Sequence, residues 1–283
     1  MKLVRFGPKG SERPGMIDAQ GTMRDLSAHT ADFAGDTIGL DNIAKIKALD
    51  PNSLPAVEPG QRMGSCLAKP GHFIAVGLNY VDHAEETGMA IPEEPVLFSK
   101  APSCLTGPDD DVTIPKGSQK TDWEVELAIV IGKGGTHISE ADAMSHVAGF
   151  CVCNDVSERD FQLTGTGQWI KGKSAPSFGP LGPWLVTPDE VGDPQMLELF
   201  LDVNGTRMQT GNTATMIFSV AHVIHYISGL MALETGDVIT TGTPPGVGAG
   251  KKPPIFLMAG DQMHLGITGL GEQRQNVVAY SGS

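Results

Sequence analysis

Glu124 and Glu126 stand two residues apart in Thr121-Asp-Trp-Glu-Val-Glu-Leu-Ala-Ile-Val-Ile-Gly132, a run that alternates at first and is then continuously apolar to Ile131. Such a pattern reads as a strand entering the core from a polar end. Side chains on a strand repeat every second residue, so both carboxylates point to one face. Like charges placed side by side repel and are costly to bury, and a divalent cation between them would relieve both penalties. The plainer alternative is a strand end in solvent with both carboxylates hydrated.

A third carboxylate, Asp155, ends the apolar run Gly149-Phe-Cys-Val-Cys-Asn154, and strand termini are common places for functional side chains. Ligands that are all oxygen select a hard cation, Mg²⁺ or Mn²⁺ and by extension Ca²⁺, over zinc. An octahedral ion held by three protein oxygens keeps roughly three positions for water or a chelating substrate, which is catalytic rather than structural in character. His83 and Glu86 are three apart, so in one helical turn they meet on one side. A carboxylate orienting an imidazole can serve as a general base for water; an exposed salt bridge is the ordinary alternative.

Gly167-Gln-Trp-Ile-Lys-Gly-Lys173-Ser174 matches the letters of a phosphate loop. The match lacks a preceding buried strand, and Pro176, Pro180 and Pro183 forbid a following helix, so the segment is read as irregular chain; one of Lys171 and Lys173 faces a ligand, or both are ordinary surface lysines. Gly242-Thr243-Pro-Pro-Gly246-Val-Gly248 is either a tight turn or a loop presenting N–H groups and the Thr243 hydroxyl to an anion. Gly107-Pro-Asp-Asp-Asp111 lacks the remaining ligands of a calcium loop and reads as a hydrated turn.

These residues need elements to carry them. Strands are expected at Leu3 to Phe6, Gly15 to Asp18, Met23 to Leu26, Phe73 to Gly77, Pro95 to Lys100, Leu197 to Val203, Met263 to Thr268 and Gln273 to Ala279, with Asn204-Gly205 closing a hairpin. Helices are expected at Leu40 to Leu49, from Ser139 to about Val147, and, capped by Thr215 or a neighbour, from about Met216 to Ala232. His222 and His225 on the last helix are read as packing residues. With 36 Gly, 20 Pro and no long helical periodicity, the chain reads as a strand-and-loop protein.

The 283 residues suffice for one large domain with an ornament or for two, divided here into a small N-terminal α+β domain, 1–66, and a catalytic domain, 67–283. A net charge of −13 argues against nucleic acid or an anionic membrane as partner. No signal peptide and no spanning run is evident, so the cytoplasm is the expected compartment. Cys66, Cys104, Cys151 and Cys153 form no Cys-x-x-Cys pair and read as small buried hydrophobes.

Taken in order, Gly77-Leu-Asn-Tyr-Val-Asp-His83-Ala-Glu-Glu86, Glu94-Pro-Val-Leu-Phe98, Asp122-Trp-Glu-Val-Glu-Leu127, Asn154-Asp-Val-Ser-Glu-Arg159-Asp160, Gly172-Lys173-Ser174 and Thr241-Gly-Thr243-Pro-Pro-Gly-Val-Gly248 resemble the fumarylacetoacetate hydrolase family. The resemblance runs from about Phe73 to the C-terminus and implies a mostly β (α+β) fold, a mixed β-sandwich roll, assembled as a homodimer or a dimer of dimers. It implies Mg²⁺ or Mn²⁺ on Glu124, Glu126 and Asp155, and water activation by His83 and Glu86. It assigns Lys173 and Gln162 to substrate oxygens, Thr243 to the substrate carboxylate, Tyr80 to substrate binding, and Arg159 to pairing with the carboxylates. The implied activity is hydrolysis of the C3–C4 bond of a 2,4-diketo acid to pyruvate and a carboxylic acid. A sugar-derived acid such as 2,4-diketo-3-deoxyrhamnonate is the expected substrate. Decarboxylation, isomerisation or ureidoglycolate cleavage on the same metal, and a non-catalytic 2-oxo-acid-binding protein, are the alternatives. Glu124→Ala is expected to destroy activity with little loss of fold, because it relieves repulsion.

Overall fold

The computed structural model describes residues 1–82, 86 and 90–282. Its central strand is Val125–Ile131, buried at every position and, apart from Glu126, made of residues that pack well on both faces of a sheet. It pairs antiparallel with Val147–Asn154 on one side and with Val238–Thr240 on the other. Beyond Val147–Asn154 the sheet continues through Gly179–Val186 to Lys2–Phe6, Arg13–Ile17 and Met23–Asp25. In the other direction Val238–Thr240 runs parallel to Phe73–Gly77, which pairs with Val96–Ser99, so the sheet is mixed.

A second sheet takes the order Thr206–Asn212, Glu198–Val203, Gln262–Ile267, Gly271–Val278 and Val112–Thr113. Buried amides stitch the two sheets together: Gln273 Nε2 donates to the Val152 and Gly182 carbonyls at 2.9 Å each, and Gln209 Oε1 accepts from Val125 N at 3.0 Å. Two facing sheets with little helix make the mostly β sandwich expected from the sequence. Asn204 and Gly205, both at positive φ, close the hairpin as expected. Among the described residues, no helix is long and apolar enough to cross a membrane.

The strands of residues 1–66 extend the first sheet from its Gly179–Val186 edge, and Leu3, Phe33 and Cys66 share one apolar core with Val125 and Ile129. All four cysteines are free and buried.

Two local expectations change. The helix expected from Met216 spans Val220–Leu230, and its cap is Ser219, whose side chain accepts from His222 N. Thr213–Thr215 instead forms a separate turn, Ile217 N is held by the Asn79 carbonyl, and Met231 lies outside the helix and is exposed. The segment from Ser139 yields only a short 3₁₀ turn, Ala143–His146. His222 packs its ring against Phe218 at 5.3 Å between centroids and is also hydrogen-bonded to Glu140, while His225 bonds to the Ile138 carbonyl.

The acidic turn 107–111 is not simply hydrated. Asp110 accepts from Arg62 Nε at 2.7 Å, Thr106 Oγ1 at 2.7 Å and Gly107 N at 2.9 Å, while Arg62 also reaches Glu12. Burial pushes the Asp110 carboxyl up, but these donors outweigh it and hold the group down to about 2, against an ordinary 3.8. A depressed carboxylate stabilises the fold above its unfolded pKa, and that contribution is lost as pH falls toward 2. Asp110→Asn is expected to cost about 2 kcal/mol at pH 7, at roughly 1.4 kcal/mol per unit of depression. Urea denaturation of both proteins at pH 7 and near pH 2 checks this: the gap should narrow in acid, and an equal gap at both values rules the linkage out.

Candidate metal centre and active-site cavity

Glu124 directly precedes the central strand, and Glu126 lies in register with Cys153 on the neighbouring strand. Asp155 follows that neighbour, with its N–H donating to the Glu124 carbonyl at 2.8 Å. Pairing therefore brings the third carboxylate onto the face that carries the first two. One oxygen from each of Glu124, Glu126 and Asp155 lies within 4.8 Å of the others. Their exposures of 6%, 1% and 0% remove the hydrated-surface alternative.

The two glutamates are not equivalent. Glu124 Oε2 lies 2.7 Å from Lys173 Nζ, and Oε1 lies 2.7 Å from Arg159 Nη2. Burial raises the Glu124 carboxyl, but Lys173 and Arg159 overcome that and hold it down to about 2. Glu126 accepts a hydrogen bond from Gly242 N at 2.8 Å. Burial first, and then the Asp155 and Glu124 charges, push its carboxyl well above the ordinary range. Among the described residues this buried carboxylate faces two others, has the Gly242 N–H as its hydrogen-bond donor, and feels the Lys173 charge only as a weaker opposing influence. An all-oxygen donor set of this size fits a divalent cation, which would supply a direct counter-charge.

Glu124 and Glu126 open on a cavity of about 720 Å³ whose polar wall also includes Glu86, Gln162, Lys173 and Thr243, with Asp155 buried behind them. Lys173, on the short helix Ile170–Lys173, is 2% exposed and also contacts Asp155 Oδ2 at 2.8 Å. Lys171 turns away to the Thr164 carbonyl, so Lys173 is the lysine that faces the site. Gly172 makes this possible: a Cβ there would lie 2.4 Å from Glu158 O and 2.5 Å from Gln162 N. Only glycine lets this helix press against Arg159–Leu163, which carries Gln162. Arg159 Nη1 donates to Gln162 Oε1 at 3.1 Å, leaving the amide nitrogen for the cavity.

Glu86 lines the cavity and accepts from Gly246 N at 3.0 Å. Its expected partner His83 lies outside the described residues. Thr243 is at the wall, but its hydroxyl donates to the Val125 carbonyl and accepts from Gln209 Nε2, so it helps to hold the loop in place. Tyr80 is fully buried and does not line the cavity; its phenol sits near Glu126, and its hydroxyl has no partner among the described residues. The chain at Tyr80 forms an antiparallel bridge with Met216.

Two contributors are missing from the sequence reading. Asp122 accepts from Gly248 N at 2.7 Å, Ala249 N at 3.0 Å and Arg159 Nε at 2.8 Å, tying the 242–250 loop to the arginine that grips Glu124. Lys100, at the end of its strand, is buried against Asp155. Asp122 stands in the same short motif as the two glutamates, a signal that could have pointed to it; nothing local marks Lys100.

A profile of the family described as Fumarylacetoacetate (FAA) hydrolase C-terminal matches residues 72–278. The chain belongs to the fumarylacetoacetate hydrolase family. The match begins one residue before the strand Phe73–Gly77, so the N-terminal strands lie outside it. Whole-chain relatives include them: a Burkholderia multivorans protein is 57% identical over 276 residues, covering 97% of this chain and 98% of its own. The structure of fumarylacetoacetate hydrolase from psychrophilic Exiguobacterium antarcticum is 36% identical, with a TM-score of 0.87 and coverage of 99% and 100%. A 2-hydroxyhepta-2,4-diene-1,7-dioate isomerase from Mycobacterium marinum is 30% identical, with a TM-score of 0.76 and both chains fully covered. A maleylpyruvate hydrolase from Sphingobium sp. SYK-6, in complex with manganese(II) and pyruvate, is 27% identical, with a TM-score of 0.81 and 99% of each chain covered.

Proposed function

We propose that this fumarylacetoacetate hydrolase family chain is a Mg²⁺- or Mn²⁺-dependent hydrolase that cleaves the C3–C4 bond of a 2,4-diketo acid, giving pyruvate and a carboxylic acid. The observation that carries the reading is three buried carboxylates close enough to share one cation, two of which, Glu124 and Glu126, line the same cavity as Lys173 and Gln162. The manganese and pyruvate bound by the maleylpyruvate hydrolase support the same assignment.

When bound, the divalent cation polarises the 2-oxo acid end and offsets the negative charge released by C–C cleavage. Glu86, on the cavity wall, takes a proton from the attacking water, with His83 as its partner. Water adds at C4; Lys173 Nζ and the Gln162 amide donate to the oxygen that becomes negative there. Collapse breaks C3–C4, the electron pair passes to C3, and a proton returns to that carbon. Arg159 serves by holding Glu124 and Gln162 in place.

The acyl part of the substrate meets a wall that includes Phe98, Leu163 and Trp169, with Lys251 and Lys252 also lining the cavity. A sugar-derived 2,4-diketo-3-deoxy acid is the proposed substrate, and a maleylpyruvate-type diacid is the comparison that tests it. The isomerase relative supports a second reading, isomerisation or decarboxylation on the same metal, which needs no attacking water. The deciding experiment is a Mg²⁺- and Mn²⁺-dependent assay on acylpyruvates, both acids above, a hydroxydienedioate and oxaloacetate, with products identified. Pyruvate plus a carboxylic acid, lost in Glu86→Gln, supports the hydrolase. Turnover that survives Glu86→Gln supports the second reading, and no turnover of any substrate sinks both. The family resemblance also carries the proposal of a homodimer or a dimer of dimers, which light scattering checks.

A further inference from the structure

Lys100 has no role in the chemistry above, yet its side chain is fully buried. An ammonium group in such a place is very costly unless closely paired. Its Nζ lies 2.6 Å from Asp155 Oδ1 and 2.5 Å from the carbonyl oxygen of Lys173. The other Asp155 oxygen, Oδ2, lies 2.8 Å from Lys173 Nζ, which in turn reaches Glu124 Oε2 at 2.7 Å. Lys100 thus touches the metal ligand at the oxygen away from Lys173, and the main chain of the lysine that faces the substrate.

We propose that Lys100 is a positioning residue of the metal centre: it occupies Asp155 Oδ1 so that the carboxylate offers only Oδ2 to the cation, and it anchors Lys173 beside that cation through its carbonyl. The proposal rests on the metal-centre reading and not on the identity of the substrate. Asp155 follows the end of its strand, and with Lys173 on Oδ2 alone its Oδ1 would be free to join Oδ2 on a cation. A short charge-assisted bond to one oxygen removes that freedom. The two acceptors, a side-chain oxygen and a main-chain oxygen from different segments, suit the three radiating donors of an ammonium rather than the planar fork of a guanidinium.

The competing account is a pair that serves stability alone, or one whose charge merely repels the incoming cation. Titration calorimetry of Mn²⁺ into wild type, Lys100→Met and Lys100→Gln, with thermal melts alongside, separates these. The methionine variant is expected to bind Mn²⁺ about 10- to 100-fold more weakly, the usual effect of losing a ligand's partner. The glutamine variant keeps a donor for Oδ1 and is expected to fall within about threefold of wild type. Both should melt lower. Unchanged or tighter Mn²⁺ binding by Lys100→Met, or equal weakening in both variants, overturns the proposal.

A Mn²⁺-soaked crystal of the wild-type protein decides the question even where a variant fails to fold. Asp155 should bind through Oδ2 alone with Lys100 still on Oδ1; two-oxygen binding by Asp155, or Lys100 displaced from it, refutes the assignment. Neither readout involves turnover, so a wrong substrate reading leaves this test intact.

Discussion

Glu126→Gln is expected to lower kcat/KM by about 1000-fold or more and, in EDTA, to melt higher than the wild type. The loss follows from removing a ligand of a cation worth several kcal/mol to the transition state, at about 1.4 kcal/mol per tenfold. The gain follows from the charge environment. Glu126 is 1% exposed, with Asp155 and Glu124 as neighbours and Gly242 N as its donor. Glutamine keeps the acceptor for Gly242 N and carries no charge.

The pH dependence has a definite sign. A carboxyl whose folded pKa is raised stabilises the fold fully below its unfolded value, near 4.5 here, and that contribution is lost as pH rises above it. The advantage of the glutamine variant in EDTA should therefore grow from pH 4 to pH 8. With excess Mn²⁺ the order should reverse, because the cation stabilises only the protein that binds it. Differential scanning fluorimetry in EDTA and in MnCl₂ checks both; a variant that melts below the wild type in EDTA at pH 8 would falsify the account of Glu126.

Glu124→Ala, two residues earlier on the same face, should also abolish turnover but shift stability the opposite way. Its carboxylate is the shared partner of Lys173 and Arg159, which are 2% and 10% exposed. Removing one member of a buried ionic cluster typically costs about 3–5 kcal/mol, on the order of 10 °C in Tm for a chain of this size. The sequence alone leads to the reverse expectation, relief of repulsion with the fold intact, because it counts the neighbouring carboxylates and not the cations. A melting temperature equal to wild type would restore that simpler view.

The contrast between these glutamates marks how far the sequence carries. Alternation around Val125 and the carboxylate after Asn154 made the Glu124, Glu126 and Asp155 face legible, because strand periodicity is local and antiparallel pairing of adjacent apolar runs is their simplest outcome. The cap of the Val220–Leu230 helix was misplaced because Thr215 and Ser219 are equally good local signals. The choice fell to Ile217 N bonding to Asn79, more than a hundred residues away. Tyr80 shows the same limit: its position in a motif does not tell that its ring is fully buried.

By itself, then, the sequence determined the family, the strand-rich fold and the three carboxylates that form the candidate metal centre, since those depend on residue type and the alternation of short apolar runs. Only the tertiary structure decided that Glu124, and not Glu126, is paired directly with Lys173 and Arg159, that Asp122 ties the glycine-rich loop to Arg159, and that Lys100 is buried beside Asp155. Each of these depends on charges brought together from segments far apart in the chain, and the sign of an electrostatic effect in a buried site is set by all the charges within a few ångströms, whatever their separation in sequence.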